Sequence, residues 1–148
     1  MDRLKGHAAS VRNTVSISGG NESEVSTMHI ALFQVGDTQV KLKSKEPVLI
    51  NEGNEVVLAG KNKSGEFNAL AYKNCATGAE GNAGWFGRML FGLFFPIVSV
   101  IIWRTFPGAS FSLIPKLIAS LFFCGGVYML ASGANVFRAV GIVKEPVL

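Results

Sequence analysis

The chain has 148 residues, of which 49% are hydrophobic and 16% charged, with a formal charge of +4; soluble domains average about 25% charged residues. Residues 1–81 hold nine basic and nine acidic residues, so the excess comes from Arg88, Arg104, Lys116, Arg138 and Lys144 set against Glu145 in residues 82–148. The positive charge flanks apolar runs instead of decorating the polar half, which excludes charge as an argument for nucleic-acid binding.

Residues 1–12, MDRLKGHAASVR, read as a polar N-terminal segment. They lack the apolar stretch of about 7–15 residues that a signal peptide needs, which sets the expectation that the first half is cytosolic. Residues 13–77 show strand signals at short spacing, broken by turn residues. VSISG (15–19) alternates apolar and polar positions, and MHIALFQV (28–35) is apolar on both faces. Gly36-Asp37 predicts a hairpin turn into TQVKLKS. After the short run VLI (48–50), EVVLAGK (55–61) and EFNALAYKN (66–74) bring the longer runs to five strands in about 60 residues, with Ser64-Gly65 as a second hairpin turn. With no room for a long helix, the expectation is an all-β small barrel, OB-like or SH3-like, because closure removes the edges of so small a sheet.

Within the third strand, VKLKSK (40–45) puts Lys41, Lys43 and Lys45 on one face. These lysines are the candidate ligand- or partner-binding residues, for a protein or a small anionic ligand. The competing reading is a solvated edge strand on which lysine prevents pairing with another chain. A single-stranded nucleic-acid face needs stacking aromatics among the basic residues. Of the candidates, Phe33 and Phe67 are expected in the core, and alternation places Phe67 and Tyr72 on opposite sides of their strand.

The stretch PVLINEGNEVVLAGKNKSGEFNALAYKN (47–74) resembles the middle-to-late strands of OB-fold modules, through Gly53, Val56, Leu58, Gly60, Gly65 and Phe67. The resemblance covers about 28 residues and implies a five-stranded barrel. OB-folds often place a helix between the third and fourth strands, and here only about eight residues are available for it.

No chemistry is signalled. Cys75 and Cys124 lack metal-ligand spacing, His7 and His29 have no nucleophile or carboxylate grouping, and no phosphate-loop or serine-elbow motif occurs. The expectation is no enzyme, no metal and no cofactor.

A glycine-rich joint, GAEGNAG (78–84), leads into a two-helix transmembrane hairpin over 85–137, with helices at about 85–103 and 115–137. Trp85, Arg88, Trp103, Arg104, Lys116 and Arg138 are the expected membrane-interface anchors. Pro107-Gly108 suits the turn, Ser112 a helix cap, and Pro115 the first turn of the second helix. Pro96 predicts a kink and leaves a re-entrant hairpin as a rival reading. Small residues gather in the second helix: Ala119, Gly126 and Gly133 at spacing seven, and Ser120 and Cys124 at spacing four. Two uses remain open for them, packing on the first helix or self-association. Residues 138–148 read as a C-terminal tail.

The leading functional expectation is a membrane-anchored binding or assembly module. Its cytosolic barrel recruits a protein or small anionic ligand to a homo-oligomer in the bacterial inner membrane, with both termini cytoplasmic. The alternative is a membrane effector whose hairpins permeabilise or remodel the bilayer when the barrel senses a ligand. A membrane tether for nucleic acid ranks third.

Overall fold

The structure, a computed structural model, describes residues 1–18, 26–106 and 113–145. The chain divides into two compact units, one comprising residues 1–83 and 136–148 and the other residues 84–135.

The first unit is built on a closed five-stranded β-barrel. Its strands are β1 (Asp2–Ser18), β2 (Ser26–Val35), β3 (Thr38–Ser44), β4 (Glu55–Lys63) and β5 (Glu66–Asn74), with a short β6 (Glu80–Asn82) added beside β5. The sheet runs β3-β2-β1-β4-β5-β6, and a parallel pairing of Gln39–Leu42 with Glu66–Ala69 closes it between β3 and β5. All other pairings are antiparallel. The two hairpin turns sit where the sequence places them. Val35 pairs with Thr38 across Gly36, whose φ of 58° is what a type II′ turn asks of its first central residue. Lys63 pairs with Glu66 across Ser64 and Gly65, both at positive φ, the type I′ pattern.

Alternate residues of the strands fill the interior with Phe33, Val35, Val40, Leu42, Val56, Leu58, Phe67 and Tyr72. Each such side chain contributes about 1.5–3 kcal/mol by leaving water. Two irregularities shape the barrel. In β1 an extra residue enters between Ala9 and Arg12, at Ser10 with φ 53°, a bulge that bends the strand. In β5 the register slips opposite Ala59 and Gly60, so that Phe67 and Tyr72 both face the core. Strict alternation puts these two rings on opposite sides, and the bulge corrects that expectation.

Several sequence boundaries change. Residues 1–12 are not a separate polar segment, because β1 starts at Asp2 and pairs with both β2 and β4. VLI (48–50) is not a strand: it lies in the β3–β4 connection, where Ile50 inserts into the core and Leu49 points outward. The N-terminal half of β1, rather than VLI, pairs with β4 and carries the sheet round. Nor does the chain end in a free tail after residue 137. Ala139 and Val143 of the second helix pack on Ala59 and Ala71 of β4 and β5, small side chains that allow a close approach. Glu80 of β6 fastens the same helix end, with carboxylate oxygens 3.3 Å from Lys73 Nζ and 3.3 Å from Lys144 Nζ.

The second unit holds α1 (Trp85–Thr105) and most of α2, whose helix runs from Leu113 to Lys144. Both helices are long and apolar enough to cross a membrane, and only 11% of the most apolar stretch of each is buried. The helix of α1 continues through Pro96. Pro107-Gly108 and Ser112 lie outside the described residues, while Pro115 falls in the first turn of α2, where its missing N–H leaves no bond unmade.

Candidate functional site

The outer surface of the barrel offers an open groove, about 370 Å³ in volume, at the end where the β2–β3 and β4–β5 turns lie. Ser10 and Arg12 of β1, Leu32 and Gln34 of β2, Gln39 of β3 and Glu66 of β5 line it. Strand pairing brings them together. Leu32 lies opposite both Arg12 and Lys41, Gln34 opposite Gln39, and Gln39 opposite Glu66. The bulge at Ser10 sets the register that puts Arg12 rather than its neighbours beside Leu32. Ser10 N–H donates to Glu52 Oε1 at 3.4 Å, which ties the bulge to the β3–β4 connection.

The groove is polar with an apolar patch, since Leu32 is 40% exposed. Glu66 lies 4.0 Å from Lys41 Nζ, a distance at which the two charges largely offset each other. Arg12 has no acidic partner among the described residues, so its guanidinium is the uncompensated charge. The side-chain amides of Gln34 and Gln39 add donors and acceptors on either side. This set can hold an anionic or strongly hydrogen-bonding group. Phe33 also borders the groove, but its ring is buried in the core with Phe67 and Tyr72 and offers no exposed face for stacking.

The lysine row divides. Lys41 sits beside the groove in its pair with Glu66, Lys43 is exposed on the same strand opposite Ile30, and Lys45 lies beyond the end of β3. The solvated-edge reading of the row fails at Lys41, because β3 is paired there with β2 on one side and β5 on the other. Arg12, Gln34, Gln39 and Glu66 were not singled out by sequence. They come from four separate strands, and only the pairing register joins them.

At the opposite end, Asn74 is completely buried and organises the long connection. Its Nδ2 donates to Leu49 O at 2.8 Å and to Asn54 Oδ1 at 2.9 Å, while its Oδ1 accepts from the N–H groups of Ala76 and Thr77 at 3.0 and 3.3 Å. The Tyr72 hydroxyl oxygen accepts from Leu49 N–H at 3.2 Å. These bonds hold residues 48–54 over the barrel end and are structural rather than ligand-binding.

In the second unit, the spacing-seven set faces α1. A Cβ at Gly126 meets the Pro96 ring and lies 3.0 Å from Gly92 O, and one at Gly133 lies 2.9 Å from Met89 Cγ. Ala119 is buried, and its carbonyl accepts a hydrogen bond from Ser99 Oγ at 2.7 Å. Ala119, Gly126 and Gly133 therefore serve packing between the two helices. Ser120 and Cys124 lie on the exposed side, where they line a shallow apolar groove with Trp103 and Phe123. Among the expected interface residues, Lys116 Nζ stands 5.7 Å from the Trp103 ring, and Arg88 donates to Ser132 Oγ at 3.2 Å. Trp85 meets Phe86 edge-on, while Arg104 is exposed in the last turn of α1. Arg138, on the part of α2 that belongs with the barrel, is also exposed.

Among the described residues no group of three or more metal-ligating side chains occurs. Comparison of the chain with protein-family models, with curated proteins and with solved structures finds no match in any of the three.

Proposed function

We propose that this chain is a membrane-anchored binding module, in which α1 and α2 form a bilayer-spanning hairpin and the barrel holds a small anionic ligand or an acidic partner. The observation that carries the anchor is the outward display of apolar side chains on both helices away from their mutual contact, with 11% of each apolar stretch buried. Phe91, Phe94, Ile97, Ile101, Leu117 and Leu121 are all exposed, and an exposed helix surface of this kind is satisfied by lipid. The pairing of Trp103 with Lys116 suits the headgroup boundary at the turn end, and Arg88 with Trp85 suits the other. The excess of basic residues on the terminal side favours both termini facing the cytoplasm, and a bacterial inner membrane is the proposed location.

The cyclic strand order 1-2-3-5-4 with a parallel β3–β5 closure supports an OB-like barrel over an SH3-like one. Ile50 then stands where OB-folds often place a helix, and the groove lies on the β1–β2–β3 face that such barrels use for ligands. Arg12 supplies the attraction for an anion and Lys41 its second cation, while the burial of Phe33, Phe67 and Tyr72 argues against single-stranded nucleic acid on the barrel.

A second reading, the ligand-sensing membrane effector, draws on α2, a single helix that contributes both an apolar stretch and the end docked on β4 and β5. Growth arrest and dye entry on expression of the full chain, abolished by Gly126→Leu, distinguish it. The binding module itself is tested by purifying the full chain in mild detergent and identifying what co-purifies by native mass spectrometry. An anionic species present on the wild type and lost from Arg12→Gln/Lys41→Gln supports the reading. The same bound species on both, or none on either, refutes the groove assignment.

A further inference from the structure

One side of β1 is covered by β2 from Ala8 to Ser18, but its other side is covered only as far as its middle. β4 pairs with Asp2–His7. Ala8 follows, its N–H donating to Asn54 O at 2.9 Å and its carbonyl accepting from Gly53 N–H at 2.7 Å. Past the bulge, from Arg12 to Ser18, no described residue bonds to the edge that faces away from β2. Alternate residues of an antiparallel strand aim N–H and C=O away from the partner. This run of seven residues, about 24 Å long and unpaired on that side among the described residues, therefore presents donors and acceptors at a spacing that another extended strand matches.

Beyond Arg12 and the bulge beside it, this edge carries few of the devices that protect exposed strands. RNTVSIS (12–18) contains no proline, no lysine and no acid, and Val15 is 50% exposed. We propose that it pairs with the same edge of a second copy of the chain, antiparallel about a two-fold axis at Val15. In that register Val15 meets its own mate, Thr14 meets Ser16, and the two Arg12 residues stand at opposite ends. The one charged side chain of the run thus meets no like charge. Val15 leaves water, and both rows of backbone groups gain partners. The pairing gives the homo-oligomer reading a surface, which the Ala119–Gly126–Gly133 row, used up against α1, does not. It rests on self-association alone, and on neither the ligand nor the bilayer.

The test uses the full chain in mild detergent with Cys75→Ser and Cys124→Ser, since both native thiols are exposed. Val15→Cys is added in one sample, and in another Asp37→Cys at the exposed β2–β3 turn. Oxidation is expected to convert Val15→Cys to a disulfide-linked dimer and to leave Asp37→Cys monomeric. Separately, Val15→Lys sets like charges face to face and is expected to weaken the dimer, read by light scattering, by at least about tenfold. A dimeric mass without cross-linking at Val15, or equal cross-linking at Asp37, overturns the β1 assignment but leaves self-association standing. A monomeric mass for the native sequence overturns both.

Discussion

Asn74→Ala tests how the barrel is held together at the end away from the groove. The side chain is completely buried and makes four hydrogen bonds, two as donor to Leu49 O and Asn54 Oδ1 and two as acceptor from Ala76 and Thr77. Each such bond is worth about 1 kcal/mol net, and a buried partner left unsatisfied costs about 1–3 kcal/mol. Leu49 is exposed, so water replaces part of what its carbonyl loses. The expected loss is therefore about 3 kcal/mol rather than the full sum, with the 48–54 connection released from the barrel. Urea unfolding of the full chain in detergent, followed by tyrosine fluorescence or far-ultraviolet circular dichroism, measures it. Hydrogen exchange is expected to quicken at Asn51, Gly53 and Asn54 first. A loss below about 0.5 kcal/mol, with exchange in the connection unchanged, refutes the role assigned to Asn74.

Gly126→Leu drives a side chain into Pro96 and the Gly92 carbonyl, and overpacking of this kind costs about 1–3 kcal/mol. Parting of α1 from α2 is expected, read as loss of cross-linking between cysteines placed at Met89 and Gly133; retained cross-linking contradicts the packing described. Glu80 bears on pH. Partial burial opposes its ionisation, but hydrogen bonds from Lys73 and Lys144, with the charges of both lysines, outweigh this and hold its carboxyl below the ordinary value of 4.5. The folded state thus binds this proton less readily than the unfolded one. Its stabilisation is full above the unfolded value and disappears as pH falls through the lowered folded value. The stability difference between wild type and Glu80→Gln is expected to stay under about 1 kcal/mol at neutral pH, because the pairs are partly exposed, and to vanish in acid. A difference that persists in acid refutes the ionic origin.

The two hairpins were legible in the sequence because Gly36-Asp37 and Ser64-Gly65 are local devices that set strand register by themselves. The apolar helices were legible because each is a long run of apolar residues that composition alone marks. What was hidden depends on long-range pairing. MDRLKGHAASVR looks like a polar leader because the bulge at Ser10 breaks the alternation of β1 and because residues such as Lys5 and His7 lie on its outer side. VLI has the composition of a strand, yet after Pro47 only Ile50 of the three is fully buried. The end of α2 resembles a basic tail until Ala139 and Val143, four apart, are seen against Ala59 and Ala71. The groove was the least legible feature of all. Lys41 could be read off the VKLKSK row, but Arg12, Gln34, Gln39 and Glu66 meet only through the register of four strands.

The most direct test is alkaline carbonate extraction of membranes from cells expressing the full chain. Spanning helices resist carbonate, whereas peripheral attachment through Arg12, Lys41 or any other surface charge does not. The hairpin proposed here predicts that the protein stays with the bilayer after carbonate treatment and is released only by detergent. Recovery of the folded protein in the carbonate supernatant would contradict it.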